Sequence, residues 1–465
     1  MAKVTVSLPQ GTRDFGPEVV RKRNYILNTI RSVFELYGFE PLETPAMENL
    51  DTLMGKYGEE GDKLIFKILN NGLDNPDKEK QTRDDFEKLL AGKNVKGITE
   101  RALKYDLTIP FARFVAMNYG QLTFPFKRYQ IQPVWRADKP QKGRYREFYQ
   151  CDADIVCSKS LLNESELALI YSTVFEKLKI PVEIKINHRK LLTALAEISG
   201  GVKKMMDITI AIDKLDKIGL DKVKDELSKK GLNREQVSII EKYLSIRGSN
   251  NEKISEIKKL FGNNEHAKKG IEDLEYIVSH SPLTRHPKRS EGHDSRLTID
   301  FTLARGLNYY TGTIFEVKAE NVQMGSIGGG GRYDDLTGLF GVPDIPGVGI
   351  SFGVDRMYDV MEELKLFPAA VHTGTQVLFF NLGEKECKVA LTLMQELRNK
   401  NIRCELYHET VKFDKQFKYA EKKNIPYVMI IGSKELEEGT CVIKDIRSGE
   451  QQTIAADKLA GFSFT

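Results

Sequence analysis

Long apolar runs are missing from this sequence. Nowhere in its 465 residues is there a stretch that approaches the ~20 consecutive apolar residues of a transmembrane helix. The N-terminus, Met-Ala-Lys-Val-Thr-Val-Ser-Leu, also lacks the apolar core of a secretory signal. We therefore expect no membrane segment and a cytoplasmic location. A chain of this length should fold into several domains rather than around one core.

Grouped cysteines and histidines are also missing. The five cysteines include no C-x-x-C pair, and the seven histidines include no H-x-x-x-H pair or Cys/His group. An odd number of scattered cysteines argues against a disulfide framework and favours reduced thiols in or near the core. The spacings that a structural zinc site requires do not occur. We therefore expect no metal held by the protein itself.

Two common nucleotide-binding motifs are absent as well. No G-x-x-x-x-G-K-[ST] occurs, and no G-x-G-x-x-G follows a first strand and opens a helix, which argues against P-loop and Rossmann enzymes. The formal net charge is only +4, from 70 Lys plus Arg and 66 Asp plus Glu. This net positive charge is much smaller than that of a protein that coats nucleic acid, so an RNA partner would be bound by local basic patches.

Apolar spacing predicts the elements of the N-terminal part. Residues 19–37 have helical spacing, Gly38 stops that helix, and residues 39–45 predict a strand. Residues 70–100 are polar and turn-rich with one helical patch at 84–90, which indicates a surface insertion between strands. A hairpin is expected within residues 121–154, followed by an amphipathic helix at 164–178.

The rest of the chain predicts a helical insertion and a second sheet-containing domain. Residues 187–292 are dominated by lysine-rich helical segments, which form either an inserted domain or an ordinary helical layer of the main domain. Strand patterns return at 297–303 and 313–318, and a glycine-rich strand at 347–353 enters a helix at 355–364. Three apolar strands separated by two helices then predict a small α/β domain with a largely parallel sheet.

The hairpin at residues 133–154 is the most informative stretch. Strand side chains alternate between faces, so Phe148, Gln150, Asp152 and Asp154 should share one side of the sheet. If Arg136 faces that side too, one surface offers a cation, a stacking ring, a neutral hydrogen-bonding group and an anion. Such a surface could hold a nucleoside triphosphate beside a small zwitterion. A solvated surface hairpin would have the same charges, so composition alone does not decide.

The pattern of this hairpin resembles motif 2 of class II aminoacyl-tRNA synthetases, in the form R-x-[ED], basic loop, R-x-F-x-Q found in histidyl-tRNA synthetases. Further segments are similar to the same family: residues 105–110 to Y-D-L-T-x-P, residues 305–312 to R-G-L-D-Y-Y-T-G, and residues 353–356 to the arginine of motif 3. The helix and strand of 19–45 resemble motif 1. Signatures of class I synthetases, H-I-G-H and K-M-S-K-S, do not occur.

The resemblance implies a fold and an activity. The expected fold is an α+β class II synthetase catalytic domain with an antiparallel sheet and a helical insertion, followed by a C-terminal α/β anticodon-binding domain. The catalytic domain would comprise residues 1–186 and 293–368, the insertion 187–292 and the anticodon-binding domain 374–465. The implied reaction is ATP-dependent ligation of L-histidine to its tRNA through a histidyl-adenylate, in a homodimer, with Mg²⁺ bound to the ATP phosphates.

The resemblance also assigns residues. Arg136 and Arg305 would be catalytic, acting as fixed cations around the α-phosphate. The histidine-binding residues would be Asp106, Thr108, Gln150, Asp154, Tyr309 and Tyr310, with the first three around the α-ammonium group and Asp154 with Tyr310 around the imidazole. The ATP-binding residues would be Arg136, Asp138, Phe148 and Arg356. The tRNA-binding residues would be Gln141, Lys142, Arg144, Lys412 and Lys415.

Several alternatives stay open at this point. Asp106 could cap a turn, Tyr309 could be a core aromatic, and the basic stripe that includes Lys415 could be a solvated helix face. Two positions depart from the family pattern, since Asn308 replaces an aspartate and Cys157 replaces a glycine. The chain could also be a catalytically silent paralogue, regulatory or purely binding, or a class II synthetase for another amino acid.

Overall fold

The structure, a computed structural model, describes residues 6–57, 61–141, 143–284, 296–304, 309–372 and 374–464. The chain groups into two compact units. The first comprises Met1–Arg13 and Ile26–Leu366, and the second comprises Asp14–Tyr25 and Phe367–Thr465. None of the helices in the described ranges is long and apolar enough to cross a membrane.

The first helix, α1 (Pro17–Leu36), follows directly from its sequence. Pro17 stands at its first position, where the missing N–H costs nothing because the first turn has no intrahelical partner for it. Ile26, Ile30 and Val33 lie on one face at helical spacing and are fully buried. Gly38 then adopts a φ of +75°, which ends the helix as the sequence predicts.

The first unit contains eleven strands in the ranges that the structure describes. They are β1 (Glu40–Pro41), β2 (Met47–Asn49), β3 (Lys67–Ile68), β4 (Arg101–Leu103), β5 (Phe126–Trp135), β6 (Glu147–Val156), β7 (Val182–His188), β8 (Arg296–Ile299), β9 (Thr313–Ala319), β10 (Gly328–Arg332) and β11 (Gly347–Gly353). Eight of them form one sheet in the order β1-β5-β6-β11-β10-β9-β7-β8. Its inner pairs are antiparallel, and only the edge pairs β1–β5 and β7–β8 are parallel.

The helices of the first unit after α1 are α2 (Leu50–Leu53), α3 (Glu79–Leu90), α4 (Thr108–Asn118), α5 (Leu162–Lys177), α6 (Arg189–Ser199), α7 (Met205–Asp213), α8 (Leu215–Ile218), α9 (Leu220–Lys229), α10 (Arg234–Ser245), α11 (Asn250–Phe261), α12 (Glu265–His280) and α13 (Val354–Glu363). Helices α6 to α12 lie between β7 and β8. The segment from β3 to β4 contains α3, which agrees with the insertion expected between two strands.

Side-chain caps begin several of the inserted helices. Asn233 and Ser249 form capping boxes at the starts of α10 and α11. His188, the last residue of β7, accepts a hydrogen bond from the N–H of Lys190 and lies 3.2 Å from Asp273 of α12. That contact joins the helical segment to the end of a strand in the main sheet.

The second unit has a mixed sheet rather than a largely parallel one. Its strands are β12 (Val377–Phe379), β13 (Cys404–Leu406), β14 (Tyr427–Ile430), β15 (Thr440–Asp445) and β16 (Gln451–Ala455), in the order β13-β12-β14-β15-β16. The three predicted strands pair in parallel, but β15 and β16 add two antiparallel pairs. Its helices are α14 (Ala369–His372), α15 (Glu384–Asn399), α16 (Phe413–Lys422) and α17 (Ser433–Glu438).

Two predicted strands are shorter in the structure. The strand expected at 39–45 is reduced to β1, two residues long. The strand expected at 297–303 ends at Ile299, because the Asp300 carboxylate accepts hydrogen bonds from the N–H and the hydroxyl of Thr302, at 2.9 and 2.6 Å, and turns the chain.

Candidate active site

A cavity opens on the face of the main sheet where β6, β10 and β11 run side by side. Its volume is about 70 Å³, several times the ~10–15 Å³ that one buried water needs, so a small molecule fits. The residues that line it come from these strands and the segments around them: Asp106, Thr108, Arg136, Gln150, Asp152, Asp154, Tyr309, Tyr310, Gly329, Gly330, Tyr333, Gly349, Ile350 and Ser351. Seven of the sequence-predicted site residues are therefore brought together.

Arg136 lines this cavity and is held by hydrogen bonds. It directly follows β5, and its guanidinium donates to the carbonyl of Tyr105 at 3.0 Å and to the side-chain oxygen of Gln150 at 3.2 Å. The same guanidinium lies 4.3 Å from the ring centroid of Tyr105 and 5.2 Å from that of Phe148. Arg136 therefore faces the same side of the sheet as Phe148 and Gln150, as the hairpin hypothesis requires.

Asp106 is a buried carboxylate at the start of α4. Its Oδ1 accepts hydrogen bonds from the hydroxyl of Tyr57 at 2.9 Å and from the N–H of Ile109 at 3.2 Å. Asp106 therefore does cap a turn, but its Oδ2 has no hydrogen-bond partner among the described residues. Burial raises the pKa of Asp106 above its ordinary value. A turn cap and a free acceptor towards a ligand are thus combined in one side chain.

Asp154 is also buried, and its carboxylate has two partners. Its carboxylate is 2.8 Å from the guanidinium of Arg128 and accepts a hydrogen bond of 2.5 Å from the hydroxyl of Tyr333. Arg128 and Asp154 stand opposite each other in the β5–β6 register, and the side chains are 0% and 4% exposed. Burial raises the pKa of Asp154, and the charge of Arg128 opposes that rise.

Glycine in β10 and β11 makes room for this carboxylate. A Cβ on Gly349 would lie 1.9 Å from Oδ1 of Asp154, and a Cβ on Gly330 would lie 2.2 Å from the carbonyl oxygen of Gly349. Both distances are far inside van der Waals contact. The glycine-rich strands therefore allow the backbone to approach the Asp154 side chain closely, rather than forming a phosphate-binding turn.

Tyr309 and Tyr310 form the wall opposite the strands. Their rings are 5.0 Å apart in an edge-to-face arrangement, and Tyr309 also meets the ring of Tyr333 at 6.2 Å. Burial raises the pKa of Tyr309 well above its ordinary value, and its hydroxyl hydrogen-bonds to Thr108. The phenol that contacts Asp154 belongs to Tyr333, and Tyr310, which the resemblance assigns with Asp154 to the imidazole, lines the same cavity.

The remaining predicted residues of the hairpin lie outside the cavity. Arg144 is 3.7 Å from the carboxylate of Asp138, and Gln141 pairs with Arg144 across the loop. Arg356 donates to the carbonyls of Gly143 and Ser326, at 3.0 and 2.6 Å, and so holds the hairpin loop beside the start of α13.

The other predicted site residues fall in ranges that the structure does not describe or belong to the second unit. Arg305, Asn308 and Lys142 fall outside the described residues. Lys412 and Lys415 are exposed at the start of α16 in the second unit. Within the described ranges, no group of three or more His, Cys, Asp or Glu side chains could hold a metal ion.

Five functional candidates were missed by sequence reasoning: Tyr57, Arg128, Asp152, Tyr333 and Ser351. Asp152 was placed on the correct face by strand alternation but was given no role. Tyr333 follows a glycine run that is in fact strand β10, so recognition of that strand would have directed the tyrosine towards the cavity. The others depend on pairing between distant segments.

Three features together define a class II aminoacyl-tRNA synthetase. They are an antiparallel sheet with a two-strand motif 2 hairpin, a glycine-rich strand that leads into a helix beside the site, and a separate α/β unit. The comparisons with known proteins agree with this class. Residues 80–357 match the family model of histidyl-tRNA synthetase, and residues 376–462 match that of an anticodon-binding domain.

Close relatives cover almost the whole chain. Histidine–tRNA ligases of Bacteroides fragilis and Christiangramia forsetii are each 52% identical to it, over 98% of this chain and 98% of theirs. The crystal structure of histidyl-tRNA synthetase from a Nostoc species superposes with a TM-score of 0.81 at 33% identity, covering 99% of both chains. The chain therefore belongs to the histidyl-tRNA synthetase family.

The fold alone would not distinguish an active ligase from a catalytically silent paralogue. A structure from Bacillus halodurans, described as an ATP phosphoribosyltransferase regulatory subunit/histidyl-tRNA synthetase, shares the fold with a TM-score of 0.69 at only 19% identity. The ligase relatives at 52% identity decide in favour of an enzyme that joins histidine to tRNA, and no finding supports a silent paralogue.

Proposed function

We propose that this chain activates L-histidine with ATP and transfers the histidyl group to the terminal adenosine of its tRNA. The full-length similarity to histidine–tRNA ligases supports this activity. The observation that carries the residue assignments is the cavity, which is lined by the hydrogen-bonded guanidinium of Arg136 and by buried carboxylates. A zwitterion with a basic ring has the complementary charges.

Histidine would lie along β6. Its carboxylate would point towards Arg136, its α-ammonium group towards Asp106, Thr108 and Gln150, and its imidazole towards Asp154. The free Oδ2 of Asp106 supplies an acceptor for an ammonium donor. Asp154, held by two partners, presents a carboxylate in a fixed orientation for a ring N–H. A ligand without that N–H would leave a buried polar group unpaired, which is the basis for rejecting other amino acids.

In the first step, the histidine carboxylate attacks the α-phosphate of ATP and pyrophosphate leaves. Negative charge develops on the phosphoryl oxygens, and the fixed guanidinium of Arg136 stabilises it. The family resemblance assigns the same task to Arg305. Phe148 would stack on the adenine, Asp138 would accept from its amino group, and Arg356 would meet the γ-phosphate. Mg²⁺ enters with ATP as part of the substrate.

The tRNA would meet two parts of the chain. The hairpin loop, with Gln141, Lys142 and Arg144, would contact the acceptor end, and Lys412 with Lys415 would contact phosphates near the anticodon. We further propose that residues 187–292 act as an inserted domain, that 374–465 form the anticodon-binding domain, and that a cytoplasmic homodimer is the working form.

The test is histidine-dependent ATP/pyrophosphate exchange with Arg136→Ala. Loss of one preorganised donor at the reacting phosphate should lower kcat by roughly 10²–10³-fold. Arg83→Ala is the matched control, because the Arg83 side chain is 76% exposed on α3 and pairs with Glu79 of its own helix. No exchange in the wild type would remove the enzyme assignment, and full exchange in Arg136→Ala would remove the role of Arg136.

A further inference from the structure

The three carboxylates in the cavity differ in their partners. Asp106 accepts hydrogen bonds from Tyr57 and Ile109, and Asp154 is paired with Arg128 and Tyr333. Asp152 forms no ion pair with any basic side chain that the structure describes, although it is only 3% exposed. A carboxylate that is buried without a counter-charge is costly, so Asp152 needs either a proton or a cation from a ligand.

The position of Asp152 is fixed by strand pairing. It stands in β6 between Gln130 on β5 and Ser351 on β11. Gln150 and Asp154, two residues away on either side, line the same cavity. Asp152 therefore faces the cavity that the amino acid would occupy.

Asp152 also orients the amide of Gln150. The Gln150 Nε2 donates to Asp152 Oδ1 at 3.4 Å and to the hydroxyl of Ser351 at 3.2 Å, while its Oε1 accepts from Arg136 at 3.2 Å. A reversed amide would put oxygen against the carboxylate and nitrogen against the guanidinium. The hydrogen-bonded chain Arg136–Gln150–Asp152 thus links a guanidinium and a carboxyl group that both line the cavity.

The charges around Asp152 do not balance when all the groups are ionised. Among the residues that the structure describes, the cavity region then contains three carboxylates, of Asp106, Asp152 and Asp154, against the guanidinium groups of Arg128 and Arg136. The other titratable groups that the described structure places around it are phenols: Tyr57, Tyr309, Tyr310 and Tyr333. Burial, together with the negative charge of Asp154, raises the pKa of Asp152 to about 7, and Arg128 opposes this rise.

We propose that Asp152 is a binding residue for the α-ammonium group of the amino-acid substrate: it carries a proton before the substrate binds, and the ammonium group displaces that proton and becomes the counter-ion of the carboxylate. The inference rests on the proposed function. Each ammonium group that binds to the protonated form releases one proton from the carboxyl group to solvent. An ammonium group donates three N–H hydrogen bonds, which the carboxylates of Asp152 and Asp106 and the side-chain oxygen of Gln150 can accept.

The proposal predicts proton release on binding. At pH 7, where Asp152 is about half protonated, binding should release about half a proton. Calorimetric titrations in two buffers of different ionisation enthalpy measure this number. The probe is 1,2,4-triazole-3-alanine, a histidine analogue whose ring takes up no proton near neutral pH, so the release reports on the protein. A proton competes with the ammonium group for Asp152. The affinity of the analogue for the wild type should therefore be about tenfold weaker at pH 6 than at pH 8.

Asp152→Asn should release no proton and lose this pH dependence. Asp221→Asn, at a side chain that is 99% exposed on α9, should behave like the wild type. Equal release and equal pH dependence in Asp152→Asn would overturn the role of Asp152. Should that variant fail to fold, zero release in the wild type overturns it equally. A wild type that binds neither histidine nor the analogue would instead contradict the proposed function itself.

Discussion

The buried pair of Arg128 and Asp154 allows a quantitative prediction. Arg128→Met keeps a side chain of similar length but leaves the Asp154 carboxylate without its cation. Both side chains are almost completely buried, so solvent does not screen the loss. Breaking such a pair from one side costs about 3–5 kcal/mol. We expect the free energy of unfolding at pH 8 to fall by about this amount.

The loss should depend on pH in a defined direction. Burial already holds the pKa of Asp154 above its value in the unfolded chain, and removal of Arg128 raises it further. The folded state then binds the proton more tightly than the unfolded state, so its stability is greatest at low pH and decreases as the pH rises through the raised pKa. Arg128→Met should therefore lose less stability at pH 5 than at pH 8.

The assay is urea unfolding followed by circular dichroism at both pH values, for the wild type, Arg128→Met, Asp154→Asn and the double variant. The double variant removes both charges, so it should be more stable than Arg128→Met by roughly 2 kcal/mol or more. Its histidine-dependent exchange should stay low, because Asp154 is lost. A loss below about 1 kcal/mol in Arg128→Met, or an equal loss at both pH values, would refute this reasoning.

Further outcomes follow from single positions. Cys157 has a φ of +65°, so Cys157→Gly should raise the free energy of unfolding by ~0.5–1 kcal/mol in the same urea assay; an unchanged or lower value would contradict this. A Cβ on Gly349 would displace Asp154 by more than 1 Å, so in exchange kinetics Gly349→Ala should lower kcat/KM for histidine by roughly 10²-fold while the KM for ATP changes little. Without ligand, Asp152→Asn should be more stable than the wild type by roughly 1–4 kcal/mol at pH 8 and equally stable near pH 4, measured by calorimetry, because the raised pKa costs stability only where the carboxyl is ionised. Lys415→Ala should raise the KM for tRNA in aminoacylation and reduce its salt dependence, while exchange without tRNA stays unchanged.

Strand alternation is enough to predict one wall of the cavity. Gln150 and Asp154 are four residues apart, which is two repeats of the strand's alternation. The structure places both on the face that Arg136 also reaches. This prediction needed no knowledge of the partner strand, because alternation is a local property of the backbone. The same local reasoning correctly ends α1 at Gly38.

The partner of Asp154 could not be predicted in the same way. Arg128 is opposite Asp154 only because β5 and β6 pair in one particular register across an eleven-residue connection, from 136 to 146. A shift of one residue would have turned Arg128 to the other face. Tyr333 depends on β10 forming a strand, although four successive glycines have low strand propensity. Pairing between strands, rather than local conformational preference, therefore decides the positions of both Arg128 and Tyr333.

The strands missed in the second unit have a different cause. Residues Thr440–Asp445 and Gln451–Ala455 contain many polar side chains, and the edge strand β16 is mostly exposed. An edge strand of this kind lacks a continuous apolar face, so the period-two pattern is weak. The apolar strands β12 and β14, buried within the sheet, were predicted correctly.

The most direct test of the central claim is aminoacylation. The purified chain is incubated with ATP, Mg²⁺ and unfractionated bacterial tRNA, and each of the twenty amino acids is supplied in turn with a radioactive label. We predict that label from histidine alone enters the tRNA fraction, and that Arg136→Ala reduces the rate by roughly 10²–10³-fold while Arg83→Ala does not change it. Charging with another amino acid, or no charging by a chain that binds histidine and ATP, would contradict the account.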